Sequence, residues 1–155
     1  MSDTYTQIYI HLVFAVQNKK ALIQSEWEEN LYKYITGIVK NKKQKLLSIY
    51  GVADHIHLLI GLKPDCCLSD LVREIKKASN VFIRENGFTP YAFQWQEGFG
   101  AFSISQSQLS TIIRYIENQK EHHKKRKFKD EYVNILNSYE IEFKNEYLFN
   151  WIDLE

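Results

Sequence analysis

The stretch DHIHLLI, Asp54–Ile60, decides the fold, because it reads as a buried strand that carries two histidines one residue apart. Side chains on a strand alternate between the two faces of its sheet. His55 and His57 therefore point one way, and the apolar residues that alternate with them point the other. Two imidazoles at one site suit a divalent metal ion, although a His-x-His pair in a strand is also typical of structural histidines.

Three further strands are predicted around this one. The apolar segment Lys45–Ala53 is separated from it only by the turn at Asp54, which predicts an antiparallel hairpin. Thr4–Val16 is rich in β-branched and aromatic residues and predicts the first strand of the chain. Ala101–Ile104 follows an aromatic loop with two glycines and predicts the fourth strand.

Two helices connect these strands. In SEWE, Ser25 and Glu28 form a predicted capping box, and apolar residues then recur at helical spacing over 26–42. After the hairpin, Ser69 is the predicted N-cap of a second helix with an apolar stripe, and this helix ends at Gly87.

The element order βαββαβ predicts an α+β fold of the split β-α-β type, which is ferredoxin-like or RRM-like. It is an antiparallel four-stranded sheet with helices on one face, and the other face is expected to be free for a site. A chain of 155 residues with 45% hydrophobic residues fits one domain, 1–155.

A third predicted helix carries the other candidate residues. Ser105 opens a second capping box, and the helix is predicted to continue to about His123. Tyr115, Gln119 and His122 are spaced i, i+4 and i+7, so they share one polar stripe of this C-terminal helix. Taken singly, a tyrosine here is more typical of packing and a glutamine of the surface.

The net charge of +1 conceals strong segregation along the chain. Lys120–Lys129 holds six basic residues against the single Glu121, whereas the acidic C-terminal tail from about 130 holds seven acidic residues against Lys144. A second basic run is Lys40–Lys45. Both runs are candidates for binding a phosphate backbone, with solvated loop charges as the alternative. The predicted DNA-binding residues are Lys42, Lys43, Lys120, Lys124, Lys125, Arg126 and Lys127.

The composition favours a cytoplasmic protein without a membrane partner. No apolar run approaches the length of a membrane span, and the N-terminus lacks the features of a signal peptide. Cys66 and Cys67 are adjacent, which suits neither a zinc site nor an unstrained disulfide.

Taken together, DHIHLLI, WQEGFGAFSIS and YIENQKEHH resemble the single-tyrosine HUH transposases of the smallest bacterial insertion sequences, the IS200-like type. The resemblance implies that His55 and His57 bind a divalent metal ion, that Tyr115 is the catalytic nucleophile and that Gln119 is the third ligand. Asp54 is a candidate for orienting a ligand histidine, with a role in the turn as the alternative. Mg²⁺ or Mn²⁺ is the expected cofactor, since imidazole and amide ligands admit Mn²⁺ readily and Mg²⁺ more weakly.

The resemblance further implies the reaction. Such an enzyme cleaves and rejoins single-stranded DNA at hairpin-bearing transposon ends through a covalent 5′-phosphotyrosine. It implies a homodimer with composite active sites, in which the tyrosine helix completes the metal site of the partner.

Two other functions stay open. One is a non-catalytic single-stranded nucleic-acid binding protein, since a split β-α-β sheet with exposed aromatic residues can stack bases without a metal. The other is a domesticated HUH nuclease or a replication initiator. A nucleotide hydrolase of the HxHxH type is disfavoured, because Leu59 stands where its third histidine belongs. His122 and His123 are expected to contact phosphate or solvent, and His11 is expected to be a core residue.

Overall fold

The sheet is built around β3, His55–Gly61, which pairs with β2, Lys45–Val52, and with β1, Tyr9–Ala15. β4, Gly100–Ile104, pairs with the other edge of β1, so the strand order is β2-β3-β1-β4. All neighbouring strands are antiparallel. The predicted α+β fold with a split β-α-β sheet is therefore confirmed. The computed structural model describes residues 2–153, and the remaining residues of the predicted domain and acidic tail lie outside them.

β1 is shorter than the predicted Thr4–Val16, because its two neighbours end where it begins. Tyr9 pairs with Gly61 of β3 and with Ile104 of β4, and both partners are the last residues of their strands. Residues 4–8 precede this boundary and lie outside the sheet. Residues 4–8 have the composition of a strand, and the prediction therefore included them although they have no partner strand.

α1, Glu28–Asn41, and α2, Leu68–Glu85, cover one face of the sheet. Their apolar stripes pack on the β3 side chains that alternate with the histidines. Most of the buried hydrophobic residues lie on this face of the sheet. Burying each such side chain contributes about 1.5–3 kcal/mol. Its fully buried members on α1, β3 and α2 include Leu31, Ile35, Ile56, Leu58, Ile60 and Ile75.

The predicted capping box at the start of α1 is wrong. The helix begins at Glu28, and Trp27, not Ser25, occupies the N-cap position. The Glu28 carboxylate does not reach back to Ser25, because it forms an ion pair with Lys120 and accepts a hydrogen bond from Tyr32 at 3.4 Å. A long-range ion pair therefore replaces the local cap.

α2 begins two residues earlier than predicted. Cys67 has extended backbone geometry and is the N-cap, so Ser69 lies in the first helical turn. The Ser69 hydroxyl and the Cys67 thiol share a contact of 3.3 Å. The helix ends at Glu85, and Gly87 adopts φ +61°, so the predicted stop signal is confirmed.

The third predicted helix is divided into shorter pieces. The capping box at Ser105 is present, but it caps a 3-10 turn, Gln106–Gln108, which leads into α3, Leu109–Glu117. The backbone departs from helical geometry at Asn118, with φ −99° and ψ 19°, and α4 follows as Gln119–His122. Tyr115 and Gln119 therefore lie on two successive helices.

The second face of the sheet is not free, because the C-terminal third of the chain packs on it. Ile116 of α3 contacts Leu59 and Ile104. α5, Phe128–Ser138, covers the adjacent part of the sheet, and most of the segment expected as an acidic tail belongs to it or packs beside it. Within residues 2–153, none of the helices is long and apolar enough to cross a membrane.

Gln96 fastens the last part of the chain to the sheet. Its side-chain amide donates to the carbonyl of Val16 at 2.9 Å and to that of Asn150 at 2.7 Å. Its Oε1 accepts from the Asn150 backbone N–H at 2.6 Å. The bond to Val16 therefore fixes the buried Gln96 side chain, and the two bonds to Asn150 fix the position of residue 150.

Candidate active site

β3 holds His55 and His57 on the sheet face that α3 and α5 cover. Strand alternation sends Ile56 and Leu58 into the core beneath α1 and α2, as predicted. Both imidazoles are 0% exposed. Because a buried polar ring is costly without partners, the contacts of these two rings determine what the site can do.

The Nε2 atoms of both histidines converge on the carboxylate of Glu131, which belongs to α5. Glu131 Oε1 lies 3.1 Å from His55 Nε2 and 3.2 Å from His57 Nε2. One ligand atom from each of the three residues lies within 4.8 Å of the others. Two ring nitrogens and a carboxylate oxygen form a donor set that suits a divalent metal ion. We call these three residues the His–Glu cluster, and its chemistry fits the expected cofactor.

The predicted nucleophile and the predicted third ligand lie against the same carboxylate. The Tyr115 hydroxyl donates a hydrogen bond to Glu131 Oε2, and the Gln119 side-chain amide donates to that oxygen at 3.0 Å. Gln119 Oε1 lies 3.3 Å from His55 Nε2. One chain therefore brings together all four residues of the predicted site and adds Glu131 to them.

Hydrogen bonds behind the imidazoles fix the orientations of both rings. His55 Nδ1 donates to Asp54 Oδ1 at 2.8 Å, the arrangement by which a carboxylate orients a ligand histidine. Asp54 also lies in the two-residue turn between β2 and β3. It therefore has both the contact with a histidine and the place in the turn that the sequence predicted as alternatives. His57 Nδ1 shares a hydrogen bond of 2.8 Å with Nε2 of His11 on β1. His11 is buried, as expected of a core residue, but its partner is a site histidine.

Burial and mutual contacts shift the pKa values of the ionisable groups in and around the His–Glu cluster. Burial by itself lowers the pKa of His55, but hydrogen bonds to Asp54 and Glu131 outweigh it and raise the pKa to about 9. Burial lowers the pKa of His57, and burial together with His57 lowers the pKa of His11 to about 3. Burial opposes ionisation of Glu131, yet the surrounding imidazoles hold its pKa well below the usual range. At neutral pH a protonated His55 therefore faces an ionised carboxylate.

Tyr115 is held as a neutral phenol. Burial, and then the negative charge of Glu131, raise the pKa of Tyr115 above its ordinary value of 10. Its ring stacks on His122 with centroids 4.7 Å apart and stands edge-on to His57 at 5.9 Å. A protonated phenol is a weak nucleophile, so activation of Tyr115 requires added positive charge nearby.

His123 lies in the site, contrary to the expectation that it contacts phosphate or solvent. Its Nε2 is 3.1 Å from Glu131 Oε1, and its ring centroid is 4.7 Å from that of His55. The His122 Nε2 atom is buried, and no residue within 2–153 forms a hydrogen bond with it.

The predicted DNA-binding lysines divide into two separate groups. Lys42 and Lys43 precede β2 at its start, which pairs with the end of β3, whereas the end of β2 pairs with His55. These two lysines therefore lie at the far end of the sheet from the His–Glu cluster. Lys120 forms an ion pair with Glu28, and Lys124 forms an exposed one with Glu121. Lys125, Arg126 and Lys127 lie in the loop between α4 and α5, beside the cluster.

Glu131 is the site residue that sequence reasoning missed, because residues from about 130 were assigned to an acidic tail. A signal for it is present in the spacing. Phe128, Tyr132 and Leu136 recur at i, i+4 and i+8, and Glu131 stands at i+3 of the same apolar stripe. A carboxylate on the buried face of a helix requires a buried partner.

Comparison with known proteins adds evidence that is independent of the contacts. The family model described as "Transposase IS200 like" matches residues 4–119. This range includes both histidines of β3, Tyr115 and Gln119, and it ends before α5. The ISDra2 transposase TnpA of Deinococcus radiodurans is 22% identical over 118 residues, which cover 73% of this chain and 84% of that protein.

Two solved structures share the fold. A candidate transposase from Deinococcus radiodurans R1 is 22% identical and superposes with a TM-score of 0.61, covering 77% of this chain and 95% of that one. A REP-associated tyrosine transposase bound to a REP hairpin is 19% identical with a TM-score of 0.58, covering 79% of this chain and 74% of that one.

Proposed function

Because the chain belongs to the family of IS200-like transposases, we propose that it is a single-tyrosine HUH DNA transposase that cleaves and rejoins single-stranded DNA at hairpin-bearing transposon ends. One observation carries this proposal. The phenol of Tyr115 and the imidazoles of His55 and His57 contact the two oxygens of one buried carboxylate. A nucleophile and a candidate metal site therefore lie close enough to act on one phosphate group.

His55, His57 and Glu131 would hold the metal ion, and Gln119 is placed to supply an amide oxygen. When bound, a divalent cation supplies positive charge that polarises a phosphodiester. We propose Mg²⁺ or Mn²⁺. The carboxylate and amide oxygens suit both ions, while the two imidazole nitrogens favour Mn²⁺.

Tyr115 acts as the nucleophile in this proposal. Its oxygen gives up its proton and forms a bond to phosphorus, while the bond between phosphorus and the 3′ oxygen breaks and that oxygen takes up a proton, which leaves a 5′-phosphotyrosine and a free 3′ hydroxyl. The hydrogen bond to Glu131 keeps the phenol oxygen beside the imidazole pair. A 3′ hydroxyl of another strand can then attack the phosphotyrosine and reseal DNA without ATP.

Two observations support a single-stranded DNA substrate with hairpins. One solved neighbour of this fold is bound to a REP hairpin. In this chain, the basic loop that contains Lys124, Lys125, Arg126 and Lys127 lies next to the His–Glu cluster. Lys120 and the distant pair Lys42 and Lys43 stay candidates for contacts with parts of the DNA outside the cleaved phosphate.

A homodimer stays part of the proposal, since the resemblance implies it. A composite site between two chains is a prediction from the resemblance. The contacts of Tyr115 with Glu131 and the β3 histidines occur within one chain, and they support a site that one chain completes.

A non-catalytic single-stranded nucleic-acid binding protein is the second candidate, and one observation favours it. Burial and Glu131 raise the pKa of Tyr115 above its ordinary value, so without added positive charge this phenol ionises less readily than an ordinary tyrosine. A domesticated HUH nuclease would use the same residues for cleavage without movement of an element.

The test uses both single strands of the DNA that flanks the gene for this chain. With Mg²⁺ or Mn²⁺ we expect a protein–DNA adduct that survives denaturing electrophoresis and that EDTA prevents. The Tyr115→Phe variant should form no adduct but should bind the same DNA within about twofold of wild type, because binding depends on backbone charge and shape.

Tyr147→Phe is the matched control, since Tyr147 is 78% exposed and lies outside the site. This variant should form the adduct at the wild-type level. If wild-type protein binds the flanking strands but forms no adduct with either metal, the non-catalytic binding protein is the better assignment.

A further inference from the structure

A basic cleft of about 800 Å³ opens beside the His–Glu cluster, and the proposed chemistry does not use it. Its lining has a first wall formed by the loop and helix start His123–Asp130 and a second wall formed by Trp151–Asp153, and Asp54 also lines it. We call this space the basic cleft. Its volume lies within the range of sites that bind small organic groups.

The first wall of the basic cleft is suited to a phosphate group. Within residues 2–153, five cationic side chains line the cleft, against the three carboxylates of Asp54, Asp130 and Asp153, and Lys124 also pairs with the exposed Glu121. The same wall contains the N-terminus of α5, whose N-cap residue, Lys127, makes no side-chain capping bond. Unpaired backbone N–H groups and cationic side chains together favour an anion there.

The second wall of the basic cleft is suited to a nucleobase. Trp151 is half-buried and lines the cleft, whereas Trp27 and Trp95 are buried in the core at 5% and 3% exposure. The Trp151 ring packs against Phe128 at 5.4 Å between centroids and against Phe149 at 6.2 Å. The preceding residue is held by Gln96, so the indole is fixed in place before a ligand arrives.

The basic cleft shares residues with the candidate active site. Phe128 stacks on the His55 ring with centroids 3.7 Å apart, and Asp54 accepts the hydrogen bond from His55. His123 contacts both the cleft and Glu131. The cleft and the His–Glu cluster are therefore neighbours that meet at Asp54, His123 and Phe128.

We infer that the basic cleft binds one nucleotide of a single DNA strand, with its base stacked on Trp151 and its phosphate on the loop Lys124–Lys127. This inference rests on the proposed function, since it assigns part of the same substrate to a second, adjacent site. Base stacking on an aromatic ring tolerates any base, so the cleft selects unpaired DNA without reading its sequence.

The test measures tryptophan fluorescence in EDTA, so that it does not depend on cleavage. The probes are dT12 and a twelve-unit abasic oligomer with the same phosphates. We expect dT12 to quench the wild-type fluorescence and the abasic oligomer to bind without quenching. Trp151→Ala should weaken dT12 binding by roughly 5- to 150-fold, the range for loss of one stacked base, and should leave abasic binding unchanged.

Three further variants separate the effect of base stacking from effects of charge and of folding. Trp151→Phe should retain most of the affinity for dT12 but lose the quenching, because a smaller ring still stacks. Lys125→Glu should weaken dT12 and the abasic oligomer equally. Tyr147→Ala changes an exposed aromatic residue of the same segment and should bind dT12 like wild type.

Equal binding of dT12 by wild type and Trp151→Ala, or equal quenching by the abasic oligomer, would overturn the inference. Equal quenching by dTMP at the same nucleotide concentration would also overturn it, since the site would then bind free nucleotides. The adduct assay with flanking DNA is scored separately. If the adduct forms but dT12 and the abasic oligomer do not differ in quenching tryptophan fluorescence, only the inference about the basic cleft is refuted. If the wild-type protein forms no adduct, the proposed function is refuted.

Discussion

At the residue scale, Glu131 links groups that lie far apart in the sequence. Its carboxylate contacts the Tyr115 phenol, the Gln119 amide and the imidazoles of the β3 histidines. Hydrogen bonds to a charged group are stronger than those between neutral groups, and a buried charge without them would be unstable. The metal-free site is therefore held together by charge that depends on pH.

The pH dependence of stability follows from His55, whose pKa rises to about 9 in the folded protein from 6.5. A raised pKa means that the folded state binds the proton more tightly than the unfolded state. This stabilisation is complete below pH 6.5 and is lost as the pH rises through 9. In EDTA, we expect the urea midpoint of unfolding to fall between pH 6.5 and 9.

The Glu131→Gln variant should show a smaller fall over the same pH range, because a neutral amide does not hold a proton on His55. Glu121→Gln is the control, since that exposed carboxylate pairs with Lys124 away from the cluster. It should follow the wild-type curve. A wild-type midpoint that stays constant or rises between pH 6.5 and 9 would contradict the assignment of charge.

The positions of the candidate site residues were predictable where they depend on local spacing. Strand alternation placed His55 and His57 on one side, and the i, i+4 relation grouped Tyr115 with Gln119. Glu131 and His11 reach the site through tertiary contacts with residues far away in the sequence. Spacing rules within one element do not describe such contacts.

At the element scale, α5 approaches the sheet closely because β4 has a glycine at the contact. A Cβ atom at Gly100 would lie 2.6 Å from the hydroxyl oxygen of Tyr132 and 2.8 Å from its ring carbon Cε1. Tyr132 follows Glu131 directly on α5. The absence of a side chain at position 100 therefore helps to set the distance between the carboxylate and the histidines.

Gly100→Ala should destabilise the protein by about 1–3 kcal/mol, the usual cost of overpacking a core, because Tyr132 has to move. It should also reduce adduct formation, since movement of Tyr132 displaces Glu131. Urea unfolding and the adduct assay measure the two effects.

Gly37→Ala is the matched control for this substitution. Gly37 lies on α1, and a Cβ there would have no atom within 4 Å. This change should stabilise the protein by about 0.5–1 kcal/mol, because alanine favours a helix over glycine. Wild-type stability in Gly100→Ala would show that α5 packs less closely than described.

The elements themselves were largely predictable, but several of their ends were not. The βαββαβ order and the stop at Gly87 follow from composition and spacing. The start of β1 depends on where β3 and β4 end, and the start of α1 depends on the ion pair between Glu28 and Lys120. α5 was missed because its acidic composition concealed an apolar stripe.

At the scale of the whole molecule, one chain contains every group of the candidate site. The match to the family of IS200-like transposases covers residues 4–119, while Glu131 and Trp151 lie beyond it. The fold and the predicted nucleophile were therefore accessible through the resemblance. The covering of the second sheet face by the C-terminal segment was not.

Mixing two inactive variants tests whether one chain completes the site. Tyr115→Phe and His57→Ala proteins are combined, refolded together and assayed for the adduct. Because the contacts between Tyr115 and the cluster occur within one chain, we expect no activity above that of either variant alone.

The control for this mixture combines wild-type protein with Tyr115→Phe, which should give adduct in proportion to the wild-type fraction. Recovery of about a quarter or more of wild-type activity in the mixed variants would instead support composite sites, as the resemblance implies. That result would mean that the tyrosine helix crosses to the partner when DNA is cleaved.

The contact between Gln96 and Asn150 also limits when the candidate site can finish folding during translation. The β3 histidines leave the ribosome long before Glu131, and the last anchor forms only after residue 150 has been added. A nascent chain therefore displays its imidazoles while the carboxylate that organises them is still untranslated. If the proposed function is correct, the capacity to cleave DNA therefore forms only after residue 150 has been added.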